Sequence, residues 1–202
     1  MKIVALVPAK VLVGAKSRLA AVLDEPERAT VALDMLRAVL EQLRLVRNVH
    51  AYAVVTSDER AAAVARQLGA IVVAEPSEGL NLALDAGLAW AGEQGAEALL
   101  VVLSDLPLAL ANDLEAVAGC AEQAQVAIAP SKDGGTNALL LRPPNAIPFR
   151  FGRDSASYHR FEAEKRGLEV AFVDRENLAF DVDTPEDLAI YRAGRQRALA
   201  RP

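Results

Sequence analysis

The chain has 202 residues, a formal net charge of −5 and a composition that is 52% hydrophobic but only 4% aromatic. This length suits one domain with a sizeable core, which must be built mainly from alanine, leucine and valine. The acidic balance argues against a nucleic-acid-binding protein, and no apolar stretch approaches the roughly 20 residues that a membrane helix needs, so neither nucleic acid nor a membrane is an expected partner.

Apolar runs predict the strands. The first five runs show little polar alternation, which is typical of parallel strands that are buried on both faces and covered by helices. The last two runs lie in a less regular part of the chain. In chain order, the seven predicted strands are residues 3–7, 52–56, 71–74, 98–103, 126–129, 138–141 and 168–173.

Helical patterns lie between these runs. In the second of them, Ser57 is the predicted N-cap and Gly69 the residue that ends the helix. The alternation of strand and helix predicts a doubly wound α/β fold with a mostly parallel sheet. We interpret residues 1–202 as one domain with a less regular insertion at about 131–170. The predicted helices are residues 27–45, 58–68, 80–91, 112–121, 155–166 and 185–198.

A basic loop follows the first predicted strand. Residues 8–19 include Lys10, Lys16 and Arg18, with small residues between them. In open α/β sheets the ligand lies beyond the carboxyl ends of the strands, where backbone N–H groups and lysines can meet phosphate oxygens. The loop matches neither the Gly-x-x-x-x-Gly-Lys-Ser/Thr nor the Gly-x-Gly-x-x-Gly pattern. It is a candidate phosphate-binding loop, with a solvated basic loop as the alternative.

Three aspartates stand at the ends of apolar segments. Asp105 follows the most apolar strand, where a carboxylate needs a partner. Asp181 and Asp183 are two residues apart, so in an extended segment both point to the same side. Because magnesium takes one or two protein carboxylates together with phosphate oxygens and water, these residues are candidate ligands. For Asp183 the alternative is a helix start before Pro185, and Asp181 is either a ligand or only a neighbour.

The segment of residues 75–83 follows the third strand and opens a helix. Gly79 and Asn81 in this segment would allow a base or a ribose to approach closely. The alternative is an ordinary loop and helix cap. The segment is therefore a candidate for nucleotide binding only in combination with the basic loop.

Two glycine-containing turns border the sixth predicted strand and the helix that follows it. The hydroxyls of Thr136 and Ser155, with the amide of Gly152, would hold a small anionic group. The alternative is a hairpin turn followed by a serine N-cap. His159, one turn into the helix, suits either the surface or a site.

The cysteine content and the first residues of the chain indicate the expected cellular location. Cys120 is the single cysteine and cannot form an internal disulfide, and the chain runs from its first residues straight into a strand pattern. A cytoplasmic location is the expectation. The oligomeric state is not readable, because the helix face with Leu36, Val39 and Leu43 suits either the core or a homodimer interface.

Taken together and in order, these segments resemble the guanylyltransferases that make the phospholactyl precursor of the deazaflavin coenzyme F420. The Asp-x-Asp-Thr-Pro motif is shared with other nucleotidyltransferases, whereas the basic opening combined with Gly-Thr-Asn-Ala-Leu and Phe-Gly-x-x-Ser is more specific. The resemblance spans nearly the whole chain and rests on residues 7–10, 15–19, 79–81, 103–107, 135–139, 151–152 and 181–188, together with Ser155 and His159.

This resemblance implies a fold and a reaction. The family has the nucleotide-diphospho-sugar transferase fold, a Rossmann-like α/β/α sandwich. Its members act on GTP and a phosphorylated three-carbon acid, phosphoenolpyruvate or 2-phospho-L-lactate, and release pyrophosphate. The guanylyl diphospho-acid would then pass to the next enzyme of coenzyme F420 biosynthesis.

The loop patterns and the resemblance together predict the site residues, and the resemblance itself implies those at the acid and around Mg²⁺. Those placed at the reacting phosphates are Lys10, Lys16, Arg18 and Asp105. Those placed at the nucleotide are Pro8, Ala9, Lys10, Lys16, Glu75, Gly79 and Asn81. Those placed at the acid are Thr136, Gly152 and Ser155, and those placed around Mg²⁺ are Asp105, Asp181 and Asp183.

One departure from the family bears on the acid. Members often read Phe-Gly-Pro-Gly-Ser, whereas Arg153 and Asp154 replace Pro-Gly here. Arg153 would favour an acidic substrate and Asp154 would oppose it. The sequence therefore leaves phosphoenolpyruvate, 2-phospho-L-lactate and 3-phospho-D-glycerate open, and phosphoenolpyruvate is preferred because it is the commoner substrate among bacterial members.

Two other functions remain as alternatives. The first is a related nucleotidyltransferase that acts on molybdopterin or uses CTP, although the Phe-Gly-x-x-Ser and Gly-Thr-Asn segments argue against it. The second is a non-catalytic nucleotide-binding regulator, which would have no need of carboxylates at two strand ends. Both would keep the basic first loop.

Overall fold

The computed structural model describes residues 1–9, 16–75 and 79–199, with the backbone alone for 194–199. The chain forms a seven-stranded sheet flanked by helices. The strands are β1 (Ile3–Pro8), β2 (Val49–Thr56), β3 (Ile71–Ala74), β4 (Ala98–Val102), β5 (Val126–Pro130), β6 (Thr136–Leu141) and β7 (Val170–Phe172). The helices are α1 (Glu25–Leu43), α2 (Glu59–Gln67), α3 (Leu80–Glu93), α4 (Ala111–Gly119), α5 (Ser155–Lys165), α6 (Glu176–Ala179) and α7 (Pro185–Leu199), with short 3₁₀ turns at Ser17–Ala21 and Cys120–Glu122.

The strands lie in the order β3-β2-β1-β4-β6-β5-β7. β1 pairs in parallel with both β2 and β4, and β5 pairs in parallel with β7. β6 is antiparallel to both of its neighbours, β4 and β5, so within this sheet it alone runs against the others. The predicted mostly parallel α/β fold is confirmed, and β6 lies inside the sheet rather than beside it.

The core fills both faces of the sheet. Along β4, Leu100 faces α1, α2 and α4, whereas Leu99 faces α3 and α5, and both are fully buried. Burying one such side chain contributes about 1.5–3 kcal/mol, so a strand that buries residues on both faces contributes to stability on both. At Gly87 an added Cβ would lie only 2.5 Å from Leu6, which shows how closely α3 approaches β1.

The helix starts differ slightly from the predicted ones. α1 begins at Glu25, two residues earlier than predicted, because Asp24 caps it and forms a capping box with Glu27. The N-cap of α2 is Asp58 and not the predicted Ser57, since the Asp58 carboxylate accepts from the backbone N of Arg60. Gly69 follows α2 with φ +80°, the left-handed conformation expected of the glycine that ends a helix.

In a smaller apolar cluster, residues near the end of the chain pack against the 3₁₀ turn and the helix that follow β1. Leu19 of the first 3₁₀ turn packs with Met35 of α1 and with Val182, just before α7. This packing brings the region after Lys16 beside the segment of residues 181–183. Within the described residues, the structure contains no helix with the length and apolar character to cross a bilayer.

Candidate active site

An acidic cluster forms where β4 ends beside the segment that precedes α7. One carboxylate oxygen from each of Asp105, Asp181 and Asp183 lies within 4.8 Å of the others. The backbone joins the two segments, because the N–H of Val182 donates to the carbonyl of Asp105 at 3.3 Å. Residues that are 76 positions or more apart in sequence therefore share one site. Asp105 lies just beyond β4, as the rule for strand ends predicts, whereas Asp181 and Asp183 follow the short helix α6 and not a strand.

Two cations lie against the acidic cluster. The Lys16 Nζ is 2.6 Å from Asp105 Oδ2 and 2.9 Å from Asp183 Oδ1. A guanidinium nitrogen of Arg18 is 3.2 Å from the other oxygen of Asp183. Lys16 has φ 50° and ψ 45°, a left-handed conformation that a lysine adopts only when its surroundings enforce it. The two ion pairs hold the Lys16 side chain against the carboxylates.

The charges of this cluster shift two pKa values. Burial alone would lower the pKa of Lys16, but Asp105 and Asp183 together raise it above its ordinary value. Burial raises the pKa of Asp181, and the neighbouring charge of Asp105 raises it further. The lysine is thus fully charged at neutral pH, while the three carboxylates repel one another and favour a further cation.

The donor set fits a divalent metal ion. Asp105 Oδ1 is buried and has no hydrogen-bond partner among the described residues, an arrangement that is costly for a carboxylate unless a ligand completes it. Three carboxylates are the oxygen ligands that hard divalent cations take in proteins. The acidic cluster can therefore hold such an ion, with Lys16 supplying the positive charge in its absence.

The start of α7 leaves Asp183 available to the cluster. Asp187 Oδ2 accepts from the backbone N and the hydroxyl of Thr184, at 2.9 Å and 2.7 Å, and from the backbone N of Asp183 at 3.3 Å. Thr184 and Asp187 thus cap the helix reciprocally. The Asp183 carboxylate instead makes ion pairs with Lys16 and Arg18. The helix start that the sequence offered as the alternative role of Asp183 is formed by Thr184 and Asp187.

A cavity of about 220 Å³ opens beside the acidic cluster, at the ends of β1 and β4. Of the residues predicted to bind a nucleotide, Pro8, Ala9 and Glu75 line this cavity. Lys10 lies outside the described residues. The rest of the lining, apart from Asp105, is mostly apolar: Val55, Leu80, Ala83, Leu103 and Ser104.

The remaining predicted nucleotide residues stand at the start of α3. Gly79 precedes the helix with φ 138°, a conformation that side-chain-bearing residues rarely adopt. The Asn81 Oδ1 accepts from the backbone N of Phe151 at 2.8 Å. Asn81 therefore connects the cavity to the turn that contains Gly152, and its contact with a nucleotide stays a prediction.

A hydroxyl cluster lies on the other side of β6. The hydroxyls of Thr136 and Ser155 are 3.0 Å apart, and the His159 Nδ1 is 3.0 Å from the same Thr136 oxygen. These three side chains are at most 2% exposed. His159 is thus part of this cluster and not a surface residue.

Glycines shape the turns around the hydroxyl cluster. A Cβ on Gly135 would lie 2.7 Å from the Ser131 hydroxyl, so any side chain there would displace Ser131. Gly152 has φ 132° and open space where a Cβ would be. Its exposed backbone leaves room for a ligand to approach. The adjacent Arg153 and Asp154 are both exposed.

Neighbouring residues of β6 connect the two clusters. Thr136 belongs to the hydroxyl cluster, whereas the side-chain amide of the next residue, Asn137, donates to the Leu178 carbonyl at 2.8 Å and to Asp181 Oδ1 at 3.4 Å. Successive residues of a strand point to opposite faces, which explains the division. Sequence analysis did not assign a role to Asn137, although a buried amide inside the Gly-Thr-Asn motif was a usable signal.

Comparisons with known proteins identify the family of this chain. Residues 1–195 match the family described as "Guanylyl transferase CofC like". The phosphoenolpyruvate guanylyltransferase of Rubrobacter xylanophilus is 46% identical over 94% of this chain and 93% of its own length. The 3-phospho-D-glycerate guanylyltransferase of Phenylobacterium zucineum is 41% identical over 86% of this chain and 82% of its own length.

A solved structure supports the fold. The putative nucleotide-diphospho-sugar transferase from Desulfovibrio desulfuricans superposes with a TM-score of 0.78 and 20% identity, covering 100% of this chain and 91% of its own. At this identity the likeness concerns the fold alone. The family match and the sequence relatives carry the assignment: the chain belongs to the CofC-like guanylyl transferase family and is a nucleotidyltransferase.

Proposed function

We propose that this enzyme transfers GMP from GTP to the phosphate of phosphoenolpyruvate, giving a guanylyl diphospho-acid and pyrophosphate for coenzyme F420 biosynthesis. The observation that carries the proposal is the joining of the acidic cluster to the hydroxyl cluster through Thr136 and Asn137. A nucleotide triphosphate and a small acid would then meet between the two. The 46% identity to a phosphoenolpyruvate guanylyltransferase supports this choice of acid.

The acidic cluster would serve the reacting phosphates. Asp105, Asp181 and Asp183 would hold a magnesium ion, which when bound supplies positive charge to phosphate oxygens. Lys16 and Arg18 already lie within hydrogen-bond distance of Asp105 or Asp183 and can turn to phosphate oxygens of the nucleotide. Lys10 would add a further charge there, as the sequence predicts.

The cavity beside the acidic cluster would take the nucleoside part of GTP. Its lining is apolar except near Glu75, Ser104 and Asp105, so a base would be bound by burial on one side and by a few polar contacts on the other. Gly79, at the start of α3, would let the backbone approach the nucleotide closely.

The acid would be bound by the hydroxyl cluster. Thr136 and Ser155 offer hydroxyls, and the exposed backbone of Gly152 adjoins them. The acid's phosphate oxygen would attack the α-phosphorus of GTP, and the bond to the leaving pyrophosphate would break. A phosphate monoester is largely dianionic at neutral pH, with a second pKa of about 6, so no side chain has to remove a proton. Positioning two anions that repel each other is then the main task of the protein.

A different acid is the second candidate. The 41% identity to a 3-phospho-D-glycerate guanylyltransferase favours this acid as the alternative. Arg153, exposed next to Gly152, would meet the extra polar groups of a larger acid. The same site would then perform the same transfer on another acceptor.

Pyrophosphate release tests the proposal. The protein is incubated with Mg²⁺, with GTP, ATP or CTP, and with phosphoenolpyruvate, 2-phospho-L-lactate or 3-phospho-D-glycerate. We expect release only when GTP and an acid are both present, fastest with phosphoenolpyruvate. Faster release with 3-phospho-D-glycerate would select the second candidate. Absence of release with all three acids would contradict the proposed function.

A further inference from the structure

His159 makes two hydrogen bonds that fix which of its ring nitrogens carries the proton. Its Nε2 is 3.3 Å from the backbone N of Arg150, and its Nδ1 is 3.0 Å from Thr136 Oγ1. The ring is fully buried and stands edge-on to the ring of Phe151, 5.2 Å between centroids. A backbone N–H can only donate, so Nε2 must be the acceptor and the proton of the neutral ring must lie on Nδ1.

The proton on Nδ1 decides how the two hydroxyls are used. Thr136 and Ser155 have one hydroxyl hydrogen each, and the hydrogen bond between the two hydroxyls uses one of these two hydrogens. If His159 accepted from Thr136, the second hydrogen would be consumed as well. Because His159 donates instead, one hydroxyl hydrogen of the pair remains for another acceptor, whichever of the two hydroxyls donates to the other.

We propose that His159 is a positioning residue for the acceptor acid: by donating to Thr136, it leaves the Thr136–Ser155 pair with a free O–H directed to an anionic oxygen of the acid. This inference rests on the proposed function and adds to it a residue that does not touch the acid. The site is thereby selective for a group that accepts hydrogen bonds, such as a carboxylate or a phosphate, over one that donates them.

The burial of His159 keeps this arrangement constant with pH. Burial lowers the pKa of His159 from 6.5 to about 4, so the ring is neutral throughout the neutral range. Both nitrogens of the buried ring are bonded within the protein, to Thr136 and to the backbone of Arg150. Its effect on the acid must therefore pass through Thr136.

Two variants separate positioning from packing. His159→Phe keeps an aromatic ring next to Phe151 but removes both nitrogens, whereas His159→Asn keeps an N–H donor near the position of Nδ1. We expect His159→Phe to raise the KM for phosphoenolpyruvate about threefold to tenfold, because the Thr136 hydroxyl loses the neutral hydrogen bond that holds it in one orientation, with the KM for GTP unchanged. His159→Asn should recover most of the affinity for the acid.

A third variant tests whether the effect passes through Thr136. Thr136→Val should raise the KM for the acid by itself, and adding His159→Phe to it should cost little more. Full additivity of the two changes would overturn the inference, because independent contributions multiply. An unchanged KM for the acid in His159→Phe, with only a lower melting temperature, would also overturn it and leave a structural role.

The protonation of the ring is measured on the wild-type protein without any substrate. Long-range ¹H–¹⁵N correlation of the histidine ring should show the proton on Nδ1, and a proton on Nε2 would overturn the inference regardless of how the variants fold. A wild-type enzyme that releases no pyrophosphate with any of the three acids would defeat the proposed function and this inference together. An active wild type with the proton on Nε2 would defeat this inference alone.

Discussion

The acidic cluster and the hydroxyl cluster, which are joined by the neighbouring residues Thr136 and Asn137 of β6, are built on different principles. The acidic cluster is charged and partly exposed, and ion pairs from Lys16 and Arg18 hold it. The hydroxyl cluster is neutral and buried, and hydrogen bonds between its own side chains hold it. A charged cluster can exchange its cations for a metal ion and a triphosphate, whereas a neutral, buried one presents a fixed geometry to a small acid. A site that brings two anions together benefits from having both kinds.

The largest loss should come from removing a carboxylate of the acidic cluster. Asp105→Asn removes the negative charge and one of the two oxygens of this side chain, and we expect turnover to fall about a hundredfold or more, which is about 3 kcal/mol in the barrier. Binding of Mn²⁺, followed by electron paramagnetic resonance, should weaken in parallel.

A matched control for this variant exists at the start of α4. Asp113 is also a buried carboxylate, and it accepts from the backbone N of Leu110 outside the acidic cluster. Asp113→Asn should keep near-normal turnover. Near-normal turnover of Asp105→Asn would show that the acidic cluster does not serve the reacting phosphates.

Replacing the lysine should lower activity while strengthening the binding of the metal ion. In Lys16→Met the two ion pairs at 2.6 and 2.9 Å disappear, and the carboxylates repel one another without compensation. We expect turnover to fall about tenfold to a hundredfold and the nucleotide-free affinity for Mn²⁺ to rise about tenfold. Lys165→Met, at the exposed end of α5, is the control that should change neither. Weaker Mn²⁺ binding in Lys16→Met would show that Lys16 does not occupy the place of a metal ion.

The hydroxyl cluster should contribute to stability in a pH-dependent way. The pKa of His159 is lowered to about 4, so between pH 6.5 and 4 the unfolded state binds a proton that the folded state does not. The stability that the neutral ring provides is therefore complete above pH 6.5 and decreases as the pH falls, by about 2 kcal/mol at pH 5. Urea unfolding at pH 7 and pH 5 should show this decrease in the wild type and not in His159→Phe.

The exposed histidine provides the comparison for this measurement. His50→Phe on β2 replaces a solvent-exposed ring and should leave the decrease intact. An equal decrease in the wild type and in His159→Phe would place the pH dependence elsewhere in the molecule.

The smallest effect should come from the helix cap that frees Asp183. Asp187→Ala removes the acceptor for the backbone of Thr184 and Asp183, which should lower the free energy of unfolding by about 1 kcal/mol. Because Asp183 then loses a support, a higher Mg²⁺ concentration should be needed for half-maximal turnover. Glu186→Ala, exposed in the same turn, should change neither quantity, and a normal Mg²⁺ requirement in Asp187→Ala would contradict the role of the cap.

Much of the fold was readable because apolar runs report burial directly. Leu99 and Leu100 are buried on opposite faces of β4, so a strand without polar alternation could be recognised from the sequence. The antiparallel direction of β6 was not readable, since apolar content does not reveal which strands pair. The cap at Asp58 was missed because Ser57 is an equally good cap by residue type, and only the contact with Arg60 decides.

The candidate site was predictable where its residues follow strands. Asp105 could be chosen because the carboxyl ends of parallel strands meet at one edge. The ion pairs of Lys16 and the amide contact of Asn137 could not, because they join segments more than 40 positions apart. The role of His159 depends on a backbone N–H from Arg150. This contact could not be predicted, because a backbone donor does not depend on the type of residue at that position.

The route of the phosphate oxygen tests the central claim most directly. The protein is given GTP, Mg²⁺ and phosphoenolpyruvate whose phosphate oxygens carry ¹⁸O, and the products are followed by ³¹P NMR and mass spectrometry. Attack by the acid's phosphate on the α-phosphorus predicts a guanylyl diphospho-acid with ¹⁸O in the bridge between its two phosphorus atoms, and pyrophosphate without label. Labelled pyrophosphate, or a guanylyl product without ¹⁸O in its bridge, would contradict the account.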